Sequence, residues 1–237
     1  MKHLQPIFKL SILLTGLMVF FITSVANATT YYSFGNNAPN TLTRWWTNTN
    51  GTGSNPANFT AAGDIFIVQS GNVYTTSAGW SVAGNVQVAG TLSFAGNYAS
   101  TLGNIIVNSG GNLVVTTNLA VIVNTLTVSS GGTLTQNQNY APTTYLQIKG
   151  DLIILGSYIY TGFTPAIFMW NSGGNNNINT GSALLCKLML RAGNYFATGN
   201  VSVNSDFYAM SDFAGSFHTN GQTIIANWGL VNSCGTL

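Results

Sequence analysis

Acid and base chemistry has few candidates in this sequence, which contains four aspartates, two histidines and no glutamate. A glycosidase needs two carboxylates that face the same bond, one protonated and one ionised. Asp206 and Asp212 are the one close pair along the chain. We interpret residues 210–212 as a turn, which would separate the two carboxylates. The sequence therefore predicts no catalytic residue and no enzymatic activity.

The other reactive residues stand alone. His218 has no serine and aspartate at triad spacing, which favours a surface or hydrogen-bonded histidine over a base or a ligand. Asp151 follows Gly150, and we expect it at a coil corner, where its carboxylate bonds nearby backbone N–H groups. Cys186 and Cys234 lack the neighbours of a nucleophile and the spacing of a metal site. We interpret them as small buried residues, although an oxidising compartment would allow a disulfide. No metal and no cofactor is expected.

Two Thr-x-Thr units offer a possible binding surface. Regularly spaced hydroxyl and methyl groups could bind an ordered lattice such as ice or a crystalline polysaccharide. The alternative is that threonine is simply a common residue on strand surfaces. The residues concerned are Thr125, Thr127, Thr133 and Thr135.

Four aromatic residues outside the N-terminal region are further candidates. They would stack on sugar rings if exposed, and would pack in the core otherwise. The sequence leaves both interpretations open for Trp170, Tyr158, Tyr160 and Tyr195.

The first 28 residues read as an export signal. Lys2 and Lys9 precede an uncharged, mostly apolar run over 10–25, and residues 26–28 supply a small-x-small cleavage pattern. The apolar run is shorter than the roughly 20 residues that span a bilayer. We predict cleavage before Thr29 and a secreted or cell-surface protein. No second long apolar run follows, so no membrane span is expected after cleavage.

Charge is scarce, since only 4% of the residues are charged and 46% are hydrophobic. Ordinary globular domains are about one quarter charged. A nucleic-acid binder would need clustered lysine and arginine, so this class is excluded. The hydrophobic content also argues against intrinsic disorder. Because the four cations and four aspartates after the signal are scattered along the sequence, we expect no basic groove for an anionic polymer.

Internal repeats predict the fold. Similar units place Val88, Val107, Val128 and Ile148 at equivalent positions, which are 19, 21 and 20 residues apart. Each unit holds two short runs of alternating apolar and polar residues around a glycine-containing corner, which is typical of strands. The same residue type recurs at the equivalent position of each unit. This recurrence favours a solenoid, in which equivalent positions of successive coils stack on one another. We predict an all-β, single-domain parallel β-helix (β-solenoid) with coils of about 20 residues; a meander or sandwich is the alternative.

The domain organisation follows from the repeats. Residues 1–28 form the signal peptide, 29–80 the N-terminal cap and first strands, and 81–237 the solenoid repeats. Trp45 and Trp46 mark the aromatic N-terminal cap. The polar tract at 171–177 is predicted to be a loop. Because the chain stops within a unit, we expect it to be the N-terminal portion of a longer protein.

The segments WTNTNGTGSNPANF at 46–59, DIFIVQSGN at 64–72 and WSV at 80–82 resemble the start of Bacteroidetes secreted surface β-solenoid proteins. The later repeats are similar to those of the same family. The resemblance implies a surface role and carries over no catalytic residue. Proteins of this family commonly end in a type IX secretion sorting domain, which this sequence lacks.

The expected function is that of an exported cell-surface or extracellular structural or adhesive protein without catalysis. A carbohydrate-binding or polysaccharide-processing β-helix module is the alternative, and binding to ice or a crystalline surface is the second alternative. The partners expected are cell-surface or extracellular polysaccharides, or other surface proteins.

Overall fold

A computed structural model describes residues 28–138, 145–161, 165–227 and 229–232; the side chains at 172–173, 210–214 and 229–232 are not described. The chain forms stacked parallel coils of about 21 residues, in about 7 turns. The prediction of an all-β parallel β-helix is confirmed, because neighbouring strands of successive coils run parallel. A meander or sandwich would pair neighbouring strands in antiparallel fashion.

The described residues contain one 3₁₀ turn, at Leu42–Arg44, and no α-helix. In chain order the strands are β1 (Thr30–Ser33), β2 (Trp45–Trp46), β3 (Ile65–Val68), β4 (Val73–Thr75), β5 (Ser81–Val82), β6 (Asn85–Val88), β7 (Thr91–Phe94), β8 (Ser100–Leu102), β9 (Ile105–Val107), β10 (Asn112–Val115), β11 (Val121–Val123), β12 (Leu126–Val128), β13 (Thr133–Gln136), β14 (Leu146–Ile148), β15 (Leu152–Ile154), β16 (Ser157–Tyr160), β17 (Ala166–Asn179), β18 (Leu184–Leu185), β19 (Lys187–Ala197), β20 (Val201–Val203), β21 (Asp206–His218), β22 (Ile224–Ala226) and β23 (Gly229–Asn232).

Each of the earlier coils contributes one strand to each of three faces. The first face is made of β5, β8, β11 and β14, and the second of β3, β6, β9, β12 and β15. The third face is the sheet β4, β7, β10, β13 and β16. In the later coils, β17, β19 and β21 each run through the first and second faces, since β17 pairs with both β14 and β15. The strands β18, β20 and β22 form a separate small sheet.

Two segments predicted to be loop or turn lie within these long strands, so both predictions are wrong. In the tract at 171–177, Asn175, Asn176 and Asn177 pair with β19, after a register shift that follows Trp170. Residues 210–212 lie inside β21, where residues 210–213 fall opposite Arg191 at another register shift. A glycine- and asparagine-rich composition favours turns locally. The coils on either side override that preference, because they supply partners for the backbone N–H and C=O groups.

The inward side chains form ladders along the solenoid, as predicted for the first three units. Val88, Val107 and Val128 stack in register, but the fourth member is Ile154 and not Ile148. Ile148 instead stacks on Val123, 25 residues earlier, in a coil that is longer than its neighbours. The predicted period therefore failed where one coil carries extra residues, some of which lie outside the described part of the chain.

Aromatic side chains near the N-terminus form one buried cluster around Trp45. The Trp45 ring lies 5.2 Å from that of Phe66, 5.0 Å from Tyr74 and 5.9 Å from Trp80, measured between centroids. Its indole N–H donates to the Pro39 carbonyl at 2.8 Å, so the buried polar atom is satisfied. The strand that carries Trp45 pairs antiparallel with β1, which pairs in parallel with β3. These contacts place large apolar groups over the inner residues of the first coil.

Asparagine side chains form a second kind of ladder at the corner before the second face. The Asn104 amide donates to Asn85 Oδ1 at 2.9 Å, and Asn104 Oδ1 accepts from Asn124 at 2.8 Å. The Thr125 hydroxyl donates to the same oxygen at 2.9 Å. An amide side chain is both donor and acceptor, so it bonds to an identical group above and below without any charge.

Adjacent glycines at a corner between the second and third faces serve two different purposes. Gly110 has φ +78°, and a Cβ there would meet nothing within 4 Å. Glycine is therefore favoured at this position because of the left-handed backbone and not because of a lack of space. A Cβ on Gly111 would lie 2.0 Å from the carbonyl oxygen of Val88 in the preceding coil. Gly111 therefore sets how closely two coils approach.

We predict that Gly111→Ala destabilises the protein more than Gly110→Ala. The first substitution must push two coils apart, at a cost of about 2–3 kcal/mol. The second strains only one left-handed residue, at about 1 kcal/mol. Thermal unfolding followed by far-UV circular dichroism measures both. Equal midpoints for the two variants would show that backbone contact at this corner does not limit coil stacking.

Candidate functional site

The outward side of the first face carries the candidate site. On β14 and its flanks, Tyr145, Gln147 and Lys149 alternate with inward Leu146 and Ile148, as the period of a strand requires. The next coils continue the outward row, because Gln147 lies opposite Phe168, Phe168 opposite Met189, and Met189 opposite Tyr208.

These outward residues form a hydrophobic cluster that is separate from the interior core. Phe168 and Met189 are only 5% and 6% exposed, although they lie outside the coil. Tyr145, Trp170 and Tyr208 pack against them and are half-buried. The Phe168 centroid lies 5.4 Å from that of Tyr145 and 6.1 Å from that of Trp170, whose ring is nearly perpendicular. Such contacts hold the aromatic rings in place on the surface.

Cations gather on the same face. The guanidinium carbon of Arg191 lies 4.0 Å from the Trp170 ring centroid, which is a cation–π contact. Lys187 Nζ lies 3.2 Å from Asp206 Oδ2, and Lys149 is exposed. Three of the four cations that follow the signal segment thus lie on one face. These cations meet because the stacking of coils brings together residues that are far apart in sequence, and the expectation that no basic groove forms stays a prediction.

An open depression of about 480 Å³ lies beside this cluster. Lys149 is the one charged residue among the described residues that line it. Its wall therefore combines aromatic and aliphatic surface with amide groups and one ammonium, which suits a ligand with hydroxyl groups and apolar C–H surface. The lining residues are Ile122, Tyr145, Gln147, Lys149, Trp170 and Asn171.

The four predicted threonines lie on two different faces. Thr127 lies on the second face between Ile106 and Ile153, and Thr125 precedes β12 at the corner. Thr133 and Thr135 lie on the third face, where their neighbours in register are Asn112, Ser157, Val114 and Ile159. No continuous file of threonines runs through these positions, and lattice binding by them stays a prediction.

Of the four aromatic candidates, Trp170 lies on the outer surface at the site. Tyr195 is buried in the interior, and this burial raises the pKa of Tyr195 to about 12. Tyr158 and Tyr160 lie 5.7 Å apart on β16, where the Tyr158 hydroxyl donates to Gln136 at 2.9 Å and Asn204 donates to the Tyr160 hydroxyl at 2.7 Å. Burial also raises the pKa of Tyr158 strongly. Tyr195 is therefore a core residue, whereas Tyr158 and Tyr160 are half-buried and hydrogen-bonded to other coils.

Sequence reasoning missed Tyr145, Phe168 and Tyr208. The signal was available at residues 166–170, Ala-Ile-Phe-Met-Trp, where the residues at both odd and even positions are apolar. A strand with only one buried face would show polar residues at the outward positions. Bulky residues at both sets of positions indicate a strand that is covered on its outer side as well.

The described carboxylates each have a partner of their own. Asp206 pairs with Lys187, and Asp151 accepts from the backbone N–H of Asn177 at 2.7 Å. Asp151 lies at the predicted coil corner, but its partner belongs to the next coil. Asp64 accepts from the backbone N–H of Thr29 at 3.0 Å. The side chain of Asp212 lies outside the described residues.

His218 stacks on Phe196, with 4.6 Å between ring centroids, and its Nε2 lies 2.7 Å from the Ser216 hydroxyl. Within the described ranges, no group of three or more histidine, cysteine or acidic residues is placed to hold a metal ion. No helix in the described part of the chain has the length and apolar character to cross a membrane.

Comparison of the chain with protein-family models, curated proteins and solved structures gave no match. The resemblance to Bacteroidetes surface solenoids stays a prediction.

Cys186 is a free, buried thiol that directly precedes Lys187, at 5% exposure. Burial raises the pKa of the Cys186 thiol, while the neighbouring Lys187 ammonium lowers it to a smaller extent. The interpretation of Cys186 as a small buried residue is confirmed. Cys234 lies outside the described residues.

We predict that Cys186 reacts slowly with a thiol reagent at pH 8 in the folded protein and rapidly in denaturant, because the thiolate is the reactive form. A Cys234→Ser variant isolates the Cys186 signal, and the double variant with Cys186→Ser gives the background rate. A folded-state rate equal to that in denaturant would contradict the burial of this thiol.

Proposed function

We propose that this protein is an exported, non-catalytic adhesive β-solenoid of the cell surface or extracellular space, and that it binds a polysaccharide through the depression beside Trp170. The observation that carries the proposal is the hydrophobic and cationic cluster on the outside of the coils. A rod with a purely structural role needs apolar ladders inside and neutral polar side chains outside. The large aromatic side chains of Tyr145, Phe168 and Trp170 on the outside of the coils are not required for coil stacking.

The lining of the depression matches the two surfaces of a sugar. Pyranose rings present C–H groups that pack on aromatic rings, here Tyr145 and Trp170. Their hydroxyls donate and accept hydrogen bonds, for which the Gln147 and Asn171 amides are suited. The Arg191 guanidinium on the Trp170 ring and the perpendicular contact of that ring with Phe168 hold the indole in one orientation. A preformed site loses less entropy on binding.

Support for a non-catalytic role comes from the carboxylates. The described ones are engaged in separate contacts, whereas glycoside hydrolysis needs two that face one bond. Support for export comes from the basic start, the apolar run and the cleavage pattern of residues 1–28. A polymer outside the cell is the ligand that such a rod would meet.

We predict that the purified protein binds a member of a polysaccharide panel consisting of cellulose, chitin, xylan, polygalacturonate and alginate. Tyr145→Ala and Trp170→Ala should each weaken that binding about tenfold, because an aromatic contact of about 1.4 kcal/mol is lost. Affinity gel electrophoresis and titration calorimetry measure the change. Tyr98→Ala is the matched control, since Tyr98 is 38% exposed and does not line the depression.

Circular dichroism must show that the variants keep their strand content, because Trp170 packs against Phe168. If no polysaccharide in the panel binds, the adhesive proposal fails and a structural role remains. If Tyr98→Ala weakens binding as much as Trp170→Ala, the site lies elsewhere on the protein.

Lys149 should give the site a preference for acidic polysaccharides. It is exposed, and no described acidic side chain forms an ion pair with it. We predict that Lys149→Gln weakens binding of polygalacturonate about fivefold, the scale of one exposed charge contact. The methyl-esterified polymer, which lacks the carboxylates, should be unaffected. Arg44→Gln removes an exposed cation from the N-terminal region as a control, and equal losses in the two variants would show only a general charge effect.

A further inference from the structure

Asp64 is a buried carboxylate directly before β3, with 7% of the residue exposed. Its Oδ1 accepts from the backbone N–H of Thr29 at 3.0 Å. Among the described residues, no lysine or arginine forms an ion pair with it; the ion pair found there joins Lys187 and Asp206. A buried carboxylate is costly unless it is paired with a cation or fully hydrogen-bonded. A positive charge beside Asp64 would therefore be stabilising.

Thr29 is held in place beside this carboxylate. Its carbonyl oxygen accepts from the Ile65 N–H at 2.9 Å, and the following residues pair with β3 in parallel, with Thr30 opposite Ile65. The backbone of Thr29 is thus held by Asp64 through its nitrogen and by Ile65 through its carbonyl oxygen. This residue is also the one that the signal-peptide pattern places directly after the cleavage site.

We propose that export processing completes the first coil by creating an ion pair between the α-ammonium group of Thr29 and Asp64. The inference rests on the proposed export. A signal peptidase uses water to hydrolyse the Ala28–Thr29 peptide bond, leaving a carboxylate on Ala28 and an amine on Thr29, which is protonated at neutral pH. A peptide N–H that donates one hydrogen bond becomes an ammonium with three donors and a full charge.

The ion pair joins β1 to β3 only in the processed protein. Because β1 also pairs with the strand that carries Trp45, the stability of the aromatic cluster becomes linked to cleavage. The precursor keeps the neutral amide, so its first coil is held less firmly than that of the mature chain.

A thermodynamic cycle tests the proposal. The two backgrounds are the protein that begins at Thr29, released from a fusion partner without extra residues, and the protein that begins at Asn27, in which the α-ammonium lies two residues away. We expect the Thr29 form to unfold about 3–6 °C higher than the Asn27 form. Asp64→Asn, which removes the charge but keeps an amide oxygen as acceptor, should abolish this difference.

Asp151→Asn is the matched control. Asp151 also accepts a backbone N–H, from Asn177, at a site far along the chain from Thr29. The Asp151→Asn substitution should lower the unfolding temperature equally in the Thr29 and Asn27 forms and leave the difference between them unchanged. Equal unfolding temperatures for the two wild-type forms, or a difference that survives Asp64→Asn, would overturn the ion pair.

N-terminal sequencing of the exported protein separates this inference from the proposed function. A sequence that begins with Thr29-Thr30-Tyr31 is expected. A protein that is exported and binds polysaccharide but begins at another residue would overturn the ion pair and leave the adhesive proposal standing.

Discussion

Parallel in-register stacking of the coils is the constraint on which the rest of this structure depends. Neighbouring strands in a sheet lie about 4.8 Å apart, so each side chain meets its equivalent in the next coil. Inward positions must be filled by residues that stack on their own kind, as Val88, Val107 and Val128 do. Corner positions must let two backbones approach, which is why a Cβ at Gly111 would collide with the preceding coil. Outward polar positions must bond to identical groups, and the amides of Asn85, Asn104 and Asn124 do so.

The same constraint explains why the chain is almost free of charge. A repeated lysine or aspartate would place like charges directly opposite each other in adjacent strands, which is destabilising. Neutral amide and hydroxyl groups avoid this cost. The charges that remain are used singly: Lys187 with Asp206, Asp151 with a backbone N–H, and Arg191 on the Trp170 ring. Against this background, the exposed lysine that lines an aromatic depression is the observation behind the proposed ligand site, and the buried aspartate beside Thr29 is the observation behind the proposed ion pair.

Much of the fold could be predicted from the sequence. Stacked coils require similar residues at equivalent positions, and this requirement is visible as a repeat of about 20 residues with alternating apolar and polar side chains. The candidate site could be predicted only in part. Trp170 was among the aromatic candidates, but Tyr145 and Phe168 were missed, and the threonines proposed as one surface are divided between two faces. The length of the later strands was also not predicted. The asparagine-rich tract at 171–177 reads as a loop by composition, yet β17 runs through it.

The sequence by itself determined the all-β class, the repeat, the aromatic N-terminal cluster and the scarcity of charge, since each depends on residue types at short separations. Only the tertiary structure decided which distant residues share a surface. A ligand site on a solenoid is built across coils, from residues about 20 positions apart, and their alignment depends on the length of every intervening coil. One longer coil between β11 and β14 moves Ile148 from the second face to the first. The same shift places Tyr145, Gln147 and Lys149 beside Trp170. Local sequence patterns do not predict this change of face.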